Sequence, residues 1–203
     1  MLEDTCPHCD SKGWAFTYIL DQTPHFHLLC DVHPLVEGHL LIIPKRHISC
    51  AGAYTIEEWT DFKKLYENAQ HFIFKHFGSV ATFEHGNIGQ TVFHSHVHLL
   101  PFQGTCKDIV PETALTRLDT IEQIVTLFKQ EGKYLFFSID QQKWIVDTAL
   151  GVPRFFRDRF AKALGCHERG DWKAIRKEHR LMEICAEENR RCQLSYQTSV
   201  KSR

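Results

Sequence analysis

Three histidines at alternate positions, His94, His96 and His98, stand in the run Gln90-Thr91-Val92-Phe93-His94-Ser95-His96-Val97-His98-Leu99-Leu100-Pro101. Val92, Phe93, Val97, Leu99 and Leu100 predict a β-strand, in which residues two apart project from one face, so the three imidazoles would share a surface. Rings crowded in this way disfavour one another's protonation near neutral pH, which leaves at least one neutral and able to bind metal or attack an electrophile. A solvated polar strand face would explain one such histidine; three in register point to chemistry. A neutral imidazole is a competent nucleophile toward phosphorus, and a second can hold a phosphate oxygen or pass a proton to the leaving group. Just upstream, Gly89, Gln90 and Thr91 offer a close-approaching backbone, an amide and a hydroxyl suited to phosphate oxygens. Without the triad beside them, an ordinary loop would account for all three.

A second cluster lies at the N-terminus. Cys6-Pro7-His8-Cys9 spaces two thiols so that both can grip one tetrahedral metal. The missing pair should be histidines, and His47, after Ile43-Pro44-Lys45-Arg46, and His94 are the best placed. Two thiolates and two neutral imidazoles would balance Zn²⁺ and leave no open position, which implies a structural zinc. The rival is thiol–disulfide exchange, but such motifs open a helix after a full strand, whereas five residues precede Cys6.

These residues need a scaffold. Trp14 to Leu20, His25 to Asp31 and Gly38 to Ile43 are short apolar stretches broken by Asp21-Gln22-Thr23-Pro24 and His33-Pro34, which predicts antiparallel strands joined by turns. Thr55-Ile56-Glu57-Glu58 is a capping-box start, Ile56, Trp59, Phe62, Tyr66, Ala69 and Ile73 recur at helical spacing, and Gly78 supplies the stop. Val80 to Phe83 and Val92 to Leu100 read as two further strands. The fold class expected is α+β, an antiparallel sheet with one long helix, over residues 1–104. Gly104 to Pro111 reads as a linker. Beyond it, 112–194 reads as a mostly helical extension packed on the first domain: a helix from Asp119-Thr120-Ile121-Glu122 to Gly132, a hairpin of Lys133 to Ile139 and Trp144 to Val146, a helix between Pro153 and Gly165, and a last one capped by Asp171. Residues 195–203 are expected to form a frayed tail.

The bulk numbers fit this picture. The 203 residues are 43% hydrophobic with a formal net charge of −1, values of a globular chain without apolar runs of membrane-spanning length. Met1-Leu2-Glu3-Asp4-Thr5 lacks the features of a signal peptide, so a cytoplasmic location with reduced thiols is expected, and the eight cysteines read as ligands or buried side chains. Charge is uneven: from Val152 onward 13 Lys and Arg face 7 Asp and Glu, against 11 and 18 before it. A basic extension can contact phosphate-rich partners, nucleic acid included, though a solvated helix surface also explains it.

The run from Gln90 to Pro101 resembles the signature of the histidine triad superfamily of nucleotide hydrolases and transferases. Asp31-Val32-His33-Pro34-Leu35-Val36-Glu37-Gly38-His39-Leu40-Leu41-Ile42-Ile43-Pro44-Lys45-Arg46-His47 is similar to its second block, and the resemblance covers about residues 6 to 103. It implies that His96 is the nucleophile forming a covalent nucleotidyl-histidine, that His98 holds the phosphate and assists proton transfer, and that His39 stands behind the triad. It also implies that Asp31 binds ribose hydroxyls, and that zinc is held by Cys6, Cys9, His47 and His94. A nucleotide substrate, with a purine as the expected base, follows, and small relatives often form homodimers. Phe83-Glu84-His85-Gly86 departs from the Asn-bearing loop of many members and could place an acid near the phosphate. The run is similar to a splicing-associated branch whose C-terminal extension Arg157 and Asp171-Trp172-Lys173 echo. Arg154 and Arg157 share a helical face within reach of a phosphate, or simply form a surface pair.

The function expected is cleavage of a nucleoside phosphate ester, anhydride or phosphoramidate through nucleotidyl-His96. The alternatives are a nucleotide- or nucleic-acid-binding module using Arg176, Lys177 and Arg180, and aprataxin-like removal of adenylyl groups from nucleic-acid ends.

Overall fold

The computed structural model describes residues 6–201. In chain order it contains β1 (Ile19–Gln22), β2 (Phe26–Cys30), β3 (Leu40–Pro44), α1 (Ile56–Phe77), β4 (Val80–Gly86), β5 (Val97–Pro101), α2 (Cys106–Ile109), β6 (Leu115–Leu118), α3 (Gln123–Glu131), β7 (Tyr134–Ile139), β8 (Gln142–Val146), α4 (Phe155–Ala163), α5 (Trp172–Ile175) and α6 (His179–Lys201). The strands form one sheet in the order β1-β2-β3-β5-β4-β7-β8-β6. Every neighbouring pair is antiparallel. The architecture is α+β, as the alternating strand and helix patterns predict.

Helix α1 follows from its ends. Thr55 Oγ1 accepts from the Glu58 backbone N–H at 3.2 Å while the Glu58 carboxylate accepts from the Thr55 N–H at 2.8 Å, and Gly78 ends the helix at φ +87°. Its face of Trp59, Phe62, Leu65, Ala69, Phe72 and Ile73 packs on Leu28, Leu40, Ile42, Val97 and Leu99. Alternation then sends the neighbouring residues to the opposite face: Leu29, Leu41 and Ile43 pack there against Ala15 and Phe16, and Phe83, Leu100 and Phe137 pack against Phe155, Phe156 and Phe160 of α4. His98, between Val97 and Leu99, faces this second side, stacked on Phe83 at 4.2 Å.

The C-terminal half does not simply rest on the first domain. Strand β4 runs to Gly86, beyond the expected Phe83, and pairs with β7 from Ala81↔Ile139 to Gly86↔Tyr134, so β7, β8 and β6 continue the same sheet. An edge that would otherwise offer unpaired backbone groups is closed this way. The Phe83-Glu84-His85-Gly86 run is where the extension docks. Buried Glu84 accepts from Ser95 Oγ at 2.8 Å, the Ala51 N–H at 2.9 Å and the Tyr134 hydroxyl, and His85 Nε2 accepts from the Phe156 N–H at 3.2 Å. Glu84 therefore sits on the α1 side with its oxygens taken, not beside a phosphate. Burial pushes its carboxyl up and pushes His85 down to about 3.

Several local expectations change. Trp14–Phe16 is a 3₁₀ turn, with β1 starting only at Ile19. The supposed linker contains α2, because the Asp108 carboxylate caps the Thr105 N–H at 2.7 Å. Asp171 caps only the short α5, accepting from the Lys173 N–H at 2.9 Å, and a separate α6 follows. That helix continues to Lys201 where fraying was expected, because Cys192 and Tyr196 are buried in the α1 core. Among the described residues no helix is long and apolar enough to cross a membrane.

Candidate active site

The triad is not one strand. Strand β5 begins at Val97, so only His98 lies in the ladder, while His94 and His96 belong to the irregular segment before it. That break aims each ring at a different task.

His94 is fully buried. Its Nε2–H donates to the Pro44 carbonyl at 2.8 Å, which leaves the Nδ1 lone pair facing Cys6 Sγ at 3.5 Å and Cys9 Sγ at 3.4 Å. His47 Nδ1 stands 3.1 Å from Cys9 Sγ, and the four ligand atoms lie within 4.8 Å of one another. A tetrahedral zinc sets its sulfur and nitrogen ligands about 3.5 Å apart, so donor types, tautomer and spacing all fit this ion. Burial pushes His94 down to about 4, favouring the neutral form that ligates. The turn that brings the cysteines together is closed by the Cys9 N–H bonding the Cys6 carbonyl at 3.0 Å.

His96 Nδ1–H donates to the His94 carbonyl at 2.6 Å, which leaves Nε2 with its lone pair. Burial holds His96 below its ordinary value, with the His94 carbonyl acting in the opposite direction. For His98 the tautomer follows from a relay. The Leu35 N–H donates to His39 Nδ1 at 3.0 Å, so the His39 proton sits on Nε2 and is donated to His98 Nδ1 at 2.9 Å. His98 keeps Nε2–H as its remaining donor. Burial drives His39 down to about 3 and His98 well below its ordinary value, so both stay neutral at physiological pH.

His96 and His98 line a cleft of about 470 Å³, open mouth included, whose walls include Trp14, Asp31, His33, Thr91, Arg157 and Trp172. Asp31, His39 and His98 also lie close enough together to suggest a second cation site. The lone pairs of His39 Nδ1 and His98 Nδ1 are already used, and Arg157 Nη1 donates to Asp31 Oδ2 at 2.7 Å, so a cation would meet a guanidinium instead of open ligands. Burial pushes the Asp31 carboxyl up, but the Arg157 charge helped by His39 and His33 overrides it, and the group ends below the usual carboxylate range.

Of the loop expected to face a phosphate, Thr91 alone lines the cleft. Its Oγ1 accepts from Trp172 Nε1–H at 3.1 Å, leaving the hydroxyl proton to donate. Gln90 turns away, its Nε2 donating to the Ser49 carbonyl at 2.6 Å. Gly89 adopts φ +73°, and a Cβ there would lie 2.5 Å from the Val152 carbonyl oxygen, so its smallness serves the approach of the extension. Arg154 does not line the cleft and is paired with Asp158 and Asp171. Arg157 is no surface residue: it is 6% exposed, and its remaining donors meet the carbonyls of His33, Arg169 and Gly170.

Sequence reasoning missed Trp14 and His33 as cleft residues, and His8, whose ring packs edge-on to His96 at 5.0 Å. Trp172 stacks on Trp14 with centroids 5.9 Å apart, and Arg176 lies 4.7 Å over the Trp14 ring. Trp172 had a signal in the Asp171-Trp172-Lys173 echo, and Arg176 in the basic charge of the extension.

The HIT domain family model matches residues 16–105, the segment that holds Asp31, His39, His47 and the whole triad. The chain carries a HIT domain. Related sequences include a bis(5′-adenosyl)-triphosphatase from Dictyostelium discoideum, 35% identical over 77 residues, 36% of this chain and 52% of that protein. A nitrilase and fragile histidine triad fusion protein, NitFhit, from Caenorhabditis elegans is 31% identical over 88 residues, 41% of this chain and 20% of that protein. The chain thus spans about half of one relative and a fifth of the other. Among solved structures, a hypothetical protein from Leishmania major aligns with a TM-score of 0.46 and 27% identity, covering 52% of this chain and 78% of its own. The HIT domain match ends before β6, so the three strands that widen the sheet and the helices that roof the cleft lie outside it.

Proposed function

We propose that this HIT domain protein is a nucleotide hydrolase or nucleotidyltransferase acting through His96. The observation that carries the proposal is the tautomer relay: one carbonyl leaves His96 Nε2 as a lone pair, and the Leu35–His39 chain leaves His98 with an Nε2–H, on the same cleft wall. A nucleophile and a donor prepared side by side suit attack on phosphorus. In the first step the His96 Nε2 lone pair forms a bond to the α-phosphorus, and the leaving group departs with the electron pair of the scissile bond. His98 Nε2–H and the Thr91 hydroxyl donate to the phosphoryl oxygens, and the leaving group takes its proton from solvent, which leaves His98 neutral throughout. In the second step water, or another acceptor, breaks the phosphorus–nitrogen bond and restores neutral His96. The base, a purine by expectation, is held by stacking against Trp14 and Trp172, since aromatic faces bind bases without demanding hydrogen bonds.

Zinc on Cys6, Cys9, His47 and His94 is part of this reading and is structural. When bound it ties the N-terminal turn to His94, whose own carbonyl orients His96. The similarity to a bis(5′-adenosyl)-triphosphatase supports a phosphoanhydride as one substrate type. A second reading of the leaving group, a nucleic-acid end, is favoured by Arg176 over Trp14 at the cleft and by the exposed Lys173, Lys177 and Arg180 nearby.

The deciding experiment is incubation with a panel of α-³²P-labelled nucleotide conjugates followed by alkaline denaturation, which preserves phosphohistidine. A labelled adduct is expected with the native protein and none with His96→Ala, which should fold and still bind nucleotide. Hydrolysis at a near-native rate by His96→Ala would refute the assignment.

A further inference from the structure

His8 lines the cleft but belongs neither to the metal cluster nor to the hydrogen bonds that prepare the triad. It stands between Cys6 and Cys9, in the turn closed by the Cys9 N–H on the Cys6 carbonyl at 3.0 Å, and this turn presents the His8 side chain at the cleft wall. There the ring packs edge-on to His94 at 5.6 Å and to His96 at 5.0 Å, and His98 stands edge-on to His96 at the same 5.0 Å. His96 thus has two imidazole neighbours in the cleft, one from β5 and one from the N-terminal turn. The Nδ1 atoms of His96 and His98 are both engaged by the protein. His8 differs: it is 7% exposed, and its Nδ1 is buried with no hydrogen-bond partner among the described residues. A buried polar atom left unmet costs about 1–3 kcal/mol, a cost that an apolar ring packed in the same place would not carry.

Resting on the reading of the cleft as a nucleotide site, we infer that His8 is a further phosphate-binding residue, whose N–H donates to an oxygen of the phosphoryl group that His96 attacks. An imidazole carries at least one N–H in either protonation state, so this donor does not wait on titration. Contact with the His96 ring places His8 at the reacting group, whereas the base lies with Trp14 and Trp172. The phosphoryl oxygens are then met by three residues, His8, His98 and Thr91, and a bond to a charged oxygen repays the unmet ring nitrogen. The turn that gathers the two thiols thereby also supplies a contact to substrate.

The test uses the full-length protein loaded with zinc and two binding probes, AMP and adenosine, which differ in the phosphate alone. His8→Phe keeps a packed ring and His8→Ala removes it; both lack the N–H, and either suffices for the comparison. A hydrogen bond to a charged oxygen is worth roughly tenfold or more in affinity. The preference for AMP over adenosine is expected to fall by about tenfold or more in these variants, with about one zinc per chain retained because His8 is not a ligand. A smaller fall would overturn the inference and leave the nucleotide reading standing; equal losses for AMP and adenosine, the mark of a ring that only packs, are one such result. Loss of zinc from both variants would assign His8 to the metal and overturn it as well. If the preference falls as expected but the native protein does not turn over adenosine 5′-phosphoramidate, the catalytic reading is sunk and the His8 contact stands. A native protein without a preference for AMP would overturn both.

Discussion

Arg157→Met offers the most direct measure of how far the extension is built into the site. The substitution keeps an unbranched apolar stem but removes the cation facing Asp31 and the donors to three carbonyls. Breaking a buried ion pair from one side costs about 3–5 kcal/mol, because the surviving charge is stranded. Against the roughly 5–15 kcal/mol that holds a domain folded, a loss near 4 is large and still measurable. Urea unfolding followed by circular dichroism, on the zinc-loaded protein, gives the value. A cycle with Asp31→Asn isolates the pair: the double variant should be less destabilised than the two losses added, with a coupling of about 2 kcal/mol or more. The pH dependence has a definite sign. Asp31 in the native protein lies below its unfolded value, so its stabilisation is present above about pH 4 and is lost as pH falls through the depressed folded value. In Arg157→Met the largest influence left is burial, which raises the carboxyl, so the deficit is greatest near neutrality and shrinks as the medium is acidified. A loss under about 1 kcal/mol, or a strictly additive cycle, would refute the argument.

Other consequences can be checked independently. His39 and His85, both driven by burial to about 3, must charge on unfolding, so each should cost about 1.4 kcal/mol of stability per pH unit as pH falls from about 6 toward 4; denaturant titrations should show this slope, softened on replacing His85. Gly89→Ala forces a side chain into a left-handed backbone against the Val152 carbonyl, and a loss of about 2 kcal/mol or more is expected in thermal unfolding. Purified protein should hold about one zinc per chain by elemental analysis. Cys9→Ser should lose that ion and melt at a lower temperature, whereas chelation that leaves the melting point unchanged would rule out a structural metal.

Much of the site is legible from short-range pattern. A two-residue gap between thiols and a capping box ahead of an apolar helical stripe are local features, because metal geometry and the helix terminus each act over a few residues, whereas the alternate histidines mark the site but not its shape, since the strand they predict begins only at Val97. The long helix and the strands around it follow in the same way, as does the hairpin of β7 and β8. Local pattern fails where a choice depends on what arrives from elsewhere. Gln90 looks like a phosphate ligand until the Ser49 carbonyl, 41 residues away, takes its amide. Glu84 looks like an acid beside the cleft until alternation along β4 turns it to the α1 side, where Ser95 and Tyr134 receive it.

The chemistry available to this protein is written in the order of its residues: which imidazoles and thiols exist, at what spacing, and on what kind of scaffold. Tertiary structure decided how that chemistry is set. The nitrogen of His98 that carries its proton depends on His39, 59 residues earlier, and the Asp31 carboxylate is claimed by Arg157. The second wall of the cleft arrives with Trp172 through its bond to Thr91, 81 residues earlier. The physical reason is that tautomers, ion pairs and stacking respond to distances of a few ångströms between segments far apart in the chain. Such distances are set by strand order and burial, which no local run of residues encodes.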